Sequence, residues 1–157
     1  MNTGEIERDI YSTFAGIASA IGYSEIHGRI IAALLVSDKK LSLNELSKKT
    51  CYSLSTISVS LDLLEFLGMI KKKKKVGDRK LYIELQGSLL EGLKRAFLIR
   101  IQKSIDDTLT KFSEYKKSLN NSNNKENKKV LNTLNILEKE VERVDKYLSL
   151  LSKLKLK

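Results

Sequence analysis

Two clusters of side chains carry the residue types from which a binding chemistry could be built. The first is a set of hydroxyls, Ser53, Ser55, Thr56 and Ser58, at the start of a stretch with helical periodicity. Free backbone N–H groups at a helix start favour an anion, and short hydroxyls there suit phosphate and base-edge contact. The bland alternative is that they cap the helix and face solvent. The second cluster is Lys71-Lys72-Lys73-Lys74-Lys75, followed after Val76-Gly77-Asp78 by Arg79-Lys80. A lysine run is usually a solvated face or a tail. Here it lies inside an apolar-bounded hairpin pattern directly after the hydroxyl-bearing segment, so contact with a DNA backbone is the better reading. Arg79, at the hairpin tip, is expected to enter a minor groove with Asp78 steering its guanidinium. A local Asp78–Arg79 turn contact is an equal alternative.

The remaining reactive side chains point to no chemistry of their own. There is no Gly-rich phosphate loop, no nucleophile with a candidate base and no carboxylate cluster at metal spacing, so neither an enzyme nor a cofactor nor a metal site is expected. His27 is the one histidine, which excludes a histidine-based metal cluster; it reads as a surface or capping residue. Cys51 is the one cysteine, so no intramolecular disulfide can form, in keeping with a reducing compartment. Its place in the turn before Ser53 reads as a small buried hydrophobe rather than a redox thiol. Arg29 is left open between a phosphate and an acidic neighbour. Tyr82 is expected to be exposed beside the hairpin.

Charge narrows the partner. The 157 residues carry 29 Lys+Arg against 19 Asp+Glu, net +10. Such an excess favours a polyanion, either nucleic acid or an anionic membrane. The positive charge is absent from residues 1–40, with four basic and five acidic groups, and builds up through 41–86 and 87–157. The N-terminus is polar and acidic, unlike a secretory signal. No apolar run approaches the roughly 20 residues that cross a bilayer. A cytoplasmic protein with no membrane partner is expected.

Elements must hold the two clusters in place. Ile6, Ile10, Phe14, Ile17 and Ile21 recur at helical intervals, predicting an amphipathic helix over 5–21. Ser24 is placed to cap a second helix carrying Ile26, Ile30, Ile31, Leu34 and Leu35, and Ser37–Lys40 reads as a turn. Ser42-Leu-Asn-Glu45 is a capping box that opens a short helix burying Leu43 and Leu46. Cys51-Tyr52 turns the chain. Ser53 caps the next helix, which runs to Leu67 and stops at Gly68. Its buried face is Ile57, Leu61, Leu64 and either Phe66 or Leu67, leaving Leu54, Ser55, Thr56, Ser58, Val59 and Asp62 outward. The period then changes to that of strands, Met69–Val76 and Arg79–Leu85, around the Gly77-Asp78 turn. A helix, a short helix, a turn, a helix and a hairpin make the order of a winged helix-turn-helix, whose second helix is presented to the major groove.

From Ser88 onward the pattern is helical, with Leu98, Ile101, Ile105, Leu109 and Phe112 in one stripe and an Asn-rich loop at 120–127. The last helix carries Val130, Leu134, Leu137, Val141, Val144, Leu148 and Leu151 at alternating intervals of four and three, a heptad seam that needs a partner. The expected fold is mostly α with a small β-hairpin. Three regions are expected: an N-terminal helix, 1–21; a DNA-binding winged helix, 22–86; and a helical hairpin or coiled coil for dimerisation, 87–157. Ile10 and Phe14 are expected to join the heptad residues in a homodimer interface. Packing within one chain is the alternative.

Gly28–Leu35, Leu41–Leu46, Ser53 through Ile57-Ser58, Leu64–Ile70 and Gly77–Lys80, taken in order, resemble the MarR superfamily, nearest the subgroup of glycine-betaine-responsive repressors. The resemblance covers about residues 21–86. It implies a dimeric regulator on near-palindromic double-stranded DNA operators. Ser53, Ser55, Thr56 and Ser58 would lie on the recognition helix and Arg79 on the wing. It also leaves room for a small-molecule effector, though no residue marks a site. An architectural protein using the same module to bind backbone with little base preference is the competing function.

Overall fold

The computed structural model describes residues 2–74, 77, 79–120 and 125–155. The chain is mostly helical with one small sheet, a winged helix-turn-helix followed by two long helices. It divides into two units, residues 1–96 and 97–157.

In the first unit, α1 (Thr3–Ala20) is capped by Asn2 and so starts earlier than the apolar stripe implies. The Asn2 side chain accepts from Glu5 N at 2.9 Å, and the Glu5 carboxylate accepts from Asn2 N at 2.7 Å. This reciprocal box satisfies two end donors and fixes the start. The buried face is Tyr11, Ala15 and Ala18, with Ile10, Phe14 and Ile21 half-buried on the core. Ile6 and Ile17 are exposed, contrary to the expected stripe. Ala15 and Ala18 let α2 (Glu25–Leu35) approach closely there: a Cβ on Gly28 would lie 2.0 Å from the Phe14 carbonyl oxygen. Ser24 stands at the N-cap of α2, but its side chain makes no capping bond. Ile26, Ile30, Ile31 and Leu34 are buried as expected, whereas Leu35 lies on the outer side.

The expected turn at 37–40 is shorter than read. Asp38 and Lys39 take positive φ, and Lys40 already belongs to a strand, β1 (Lys40–Ser42). The capping box of α3 (Leu43–Thr50) forms: Ser42 N and Oγ both donate to Glu45 Oε2, at 2.7 and 2.6 Å. These bonds hold the Glu45 carboxyl below the ordinary carboxylate range. α4 (Leu54–Phe66) follows the turn, then β2 (Ile70–Lys74) and β3 (Leu81–Leu85). The sheet is antiparallel in the order β1-β3-β2. Ile30, Leu34, Leu46, Ile57, Leu61, Ile70 and Ile83 are fully buried, so α2, α3, α4 and the sheet share one core.

The first unit closes with the start of α5 (Leu89–Leu119), where the Ser88 hydroxyl accepts from Glu91 N at 3.3 Å. A Cβ on Gly92 would lie 2.4 Å from Met69 Cγ, so this end of the helix needs glycine to pack on the β2 entry. The Tyr23 hydroxyl donates to the Ala96 carbonyl at 2.8 Å.

The second unit pairs the rest of α5 with α6 (Lys125–Lys153). Gln102 donates to Asp145 at 2.8 Å, and Lys116 pairs with Glu138, contacts that make the helices antiparallel. Ile105 is buried and its stripe half-buried. The expected Asn-rich loop is shorter than 120–127, since helix resumes at Lys125; residues 121–124 lie outside the described ones.

Candidate nucleic-acid interface

α4 is set against α3 by the turn between them. Cys51 closes α3 in the left-handed conformation, φ 60°, and the Ser47 hydroxyl donates to the Tyr52 carbonyl at 2.7 Å. Cys51 is exposed, not buried as its type suggests. The left-handed cap turns its side chain outward, while half-buried Tyr52 packs against the core instead.

Ser53 caps α4, its Oγ accepting from Thr56 N at 3.2 Å. The same Oγ lies 3.0 Å from Ser55 Oγ and 2.7 Å from Thr56 Oγ1. One hydroxyl cluster thus stands over the helix N-terminus. Ser53, Leu54, Ser55, Thr56, Ser58 and Val59 are all exposed, with Val59 at 72%. Ser60 is turned in, donating to the Thr56 carbonyl at 2.9 Å. At the far end Leu67 is the buried residue and Phe66 stands out at 72%. The helix therefore offers donors and small apolar groups along one outer face and no cation of its own.

The sheet sorts the lysines by parity. Ile70, Lys72 and Lys74 pair with Leu85, Ile83 and Leu81; Lys71 and Lys73 pair with Glu84 and Tyr82 on the opposite face. Lys72 is therefore directed toward α4. Its Nζ pairs with Asp62 and lies 3.3 Å from Glu65 Oε2, and its backbone N–H donates to Glu65 Oε1 at 3.2 Å. Asp62 above all, then Glu65, raises the Lys72 ammonium above its ordinary value, against some opposition from burial. On the other face Glu84 bridges Lys73 at 2.5 Å and Lys40 at 2.9 Å. Those two ammonium groups, Lys73 first, hold its carboxyl down at about 2. Lys40 also lies 5.2 Å from the centre of the half-buried Tyr82 ring. Lys71, Lys74 and Arg79 are exposed and make no ion pair among the described residues, and Lys80 is exposed. Lys75 and Asp78, with the expected steering of Arg79, lie outside the described residues.

The sequence reading missed the carboxylates that engage the lysines. The period-2 alternation through 70–74 already separates Lys72 from Lys71 and Lys73. Only the register shows that Glu84 stands opposite Lys71 and Lys40, and only the fold brings Asp62 and Glu65 to Lys72. Lys48 and Lys49, exposed in the last turn of α3 beside the turn, add two cations that no sequence pattern marks. Arg29 resolves as a partner of Glu25 at 3.9 Å. His27 is half-buried, its Nδ1 3.0 Å from the Ser24 carbonyl; burial lowers its pKa, partly offset by that carbonyl. It borders an apolar cavity of about 50 Å³ among Phe14, Ile31, Leu64, Met69 and Leu93. That is far below the roughly 300–1,000 Å³ of pockets for drug-sized ligands.

The expected dimer residues occupy two kinds of position. Ile10 and Phe14 are half-buried on the core of their own chain. In α6, Leu134 and Leu148 are buried and Val141 is half-buried, on the face whose Glu138 and Asp145 reach α5. Val130, Leu137, Val144 and Leu151 remain 44–47% exposed. Among the described residues no helix is long and apolar enough to cross a membrane, and no cluster of three metal-ligating side chains occurs.

No family model matches the chain, and no curated protein is significantly similar to it. Among solved structures it resembles a transcriptional regulator with 19% identity and a TM-score of 0.53, covering 91% of this chain and 97% of that one. Two further likenesses score lower. One is AbsC, a MarR family transcriptional regulator from Streptomyces coelicolor, with 19% identity, a TM-score of 0.44 and coverage of 73% and 82%. The other is NadR in complex with 4-hydroxyphenylacetate, with 16% identity, a TM-score of 0.42 and coverage of 98% and 93%. The first shares the fold at a level that carries weight, and it agrees with the architecture described above: the chain is a winged helix-turn-helix protein.

Proposed function

We propose that this protein is a DNA-binding transcriptional regulator, a repressor acting in the cytoplasm as a homodimer on a near-palindromic operator. α4 enters the major groove by its N-terminal turn, and the β2–β3 wing contacts backbone and the adjacent minor groove. One observation carries the reading: the same small core carries an exposed hydroxyl cluster at the N-terminus of α4 and an exposed basic hairpin. The first supplies donors suited to base edges and phosphates; the second supplies charge for affinity. Leu54 and Val59 add apolar groups of the kind that meet thymine methyls. The resemblance to the MarR superfamily, and within it to the glycine-betaine-responsive repressors, supports the same reading.

The homodimer rests on the apolar side chains of α6. A two-helix hairpin buries only one side of each helix, and Val130, Leu137, Val144 and Leu151 are left at one heptad spacing on another. A second copy would cover them.

An architectural role would use the wing as a general polycation. The ion pairs weigh against it, because Lys72 and Lys73 are engaged by carboxylates of the protein. Selection of bound fragments from a genomic library, followed by gel-shift competition, separates the two. The regulator reading expects an enriched sequence bound at least about 10³-fold more tightly than random duplex. Equal binding to all fragments favours the architectural one.

A further inference from the structure

We propose that Lys72 is a positioning residue of the interface rather than one of its phosphate contacts, acting through Asp62 and Glu65 to couple the wing to the recognition helix. The proposal rests on the DNA-binding reading above and assigns this lysine a role opposite to that of its neighbours in the run.

Three observations converge. The first is the charge of α4, which carries Asp62 and Glu65 and no basic residue. A helix approaching a polyanion with two exposed carboxylates meets repulsion unless a cation lies beside them. The second is the direction of Lys72. Strand parity turns Lys71 and Lys73 to the other face, and Lys72 alone among the described lysines reaches the two carboxylates. Its side chain is only 23% accessible, against 50% for Lys73. The third is a second point of attachment. β2 is an edge strand, and Glu65 accepts from the Lys72 backbone N–H while its other oxygen faces the ammonium. Glu65 therefore occupies an edge donor that would otherwise be open and holds the strand by main chain and side chain together.

Lys72 thus does two things at once. It neutralises the acidic end of the reading helix, and it fixes the base of the wing to that helix. Lys71 and Lys74, exposed and without ion pairs among the described residues, are left for phosphate.

The test compares the full-length wild type with Lys72→Met, Asp62→Asn/Glu65→Gln and the triple variant. Each is titrated with a 20-bp duplex across a salt series and unfolded thermally. Lys72→Met should lose roughly three- to fivefold in affinity at an unchanged salt slope. The triple variant should regain that affinity, and Lys72→Arg should stay near wild type. Lys71→Ala is the contrast: its slope should fall by about one, with no rescue from the carboxylate changes. A slope lowered by about one in Lys72→Met, with no recovery in the triple variant, would overturn the proposal. In thermal unfolding, Lys72→Met should lower the midpoint by about 2–4 °C, and adding the carboxylate changes should cost no more. Strictly additive shifts would also overturn it. Wild-type protein that binds no duplex defeats the regulator reading, while the unfolding comparison still decides whether the clamp exists.

Discussion

The proposed reading assigns Ser55 and Thr56, exposed on the first turn of α4, to base edges, while Ser53 beside them is occupied as a cap. The roles should separate by mutation. Ser53→Ala is expected to lower stability by about 1 kcal/mol, the usual worth of an N-cap, as measured by denaturant unfolding. Ser55→Ala and Thr56→Ala should leave stability nearly unchanged and alter the preferred sequence in a binding selection. An unchanged preference after both would count against readout by this turn. Glu84 makes a different kind of expectation. Its folded pKa lies near 2, well below the ordinary 4.5. The stability it contributes is therefore present above about pH 4.5 and is lost as pH falls toward 2. Glu84→Gln should be less stable than wild type at neutral pH and converge with it as pH falls through that window, which flattens the acid limb in pH-dependent denaturant unfolding. The hydroxyl cluster was legible in the sequence because capping and groove contact both use short polar side chains at a helix start. The sorting of the lysines was not. It depends on carboxylates brought in from α4 and β3, beyond the reach of local pattern. Cys51 failed for a related reason: its type favours burial, but the left-handed cap it occupies points it to solvent.

The helices and the hairpin were readable because their periods differ, and each change of period coincides with a cap or a glycine. The capping box at Ser42 and Glu45 forms as read. β1 was not readable. Three residues are too short for an alternation to show, and the strand exists only because β3 pairs with it, placing Leu41 opposite Ile83. The face of α1 was misjudged because an alanine and glycine contact carries little hydrophobic signal. That contact leads to a sharp expectation. Gly28→Ala would set a methyl 2.0 Å from the Phe14 carbonyl, so the two helices must separate. A loss of about 1–3 kcal/mol is expected in denaturant unfolding. A loss no larger than that of an exposed alanine substitution would show that α1 packs less closely than described.

In the whole molecule, a near-palindromic operator calls for two reading heads in one assembly. The exposed row on α6 should be covered by a second copy, so sedimentation should give a dimer. Val144→Glu/Leu151→Glu should shift it toward monomer without unfolding the winged helix. A monomer at all concentrations in the wild type would remove the dimer and, with it, the palindromic operator. The central claim is that the α4 turn reads sequence while the wing supplies general affinity. Gel-shift competition between an operator recovered from genomic selection and bulk random duplex tests it most directly. The operator should be retained against at least about a 10³-fold excess of random sites. Equal competition by bulk duplex would contradict it.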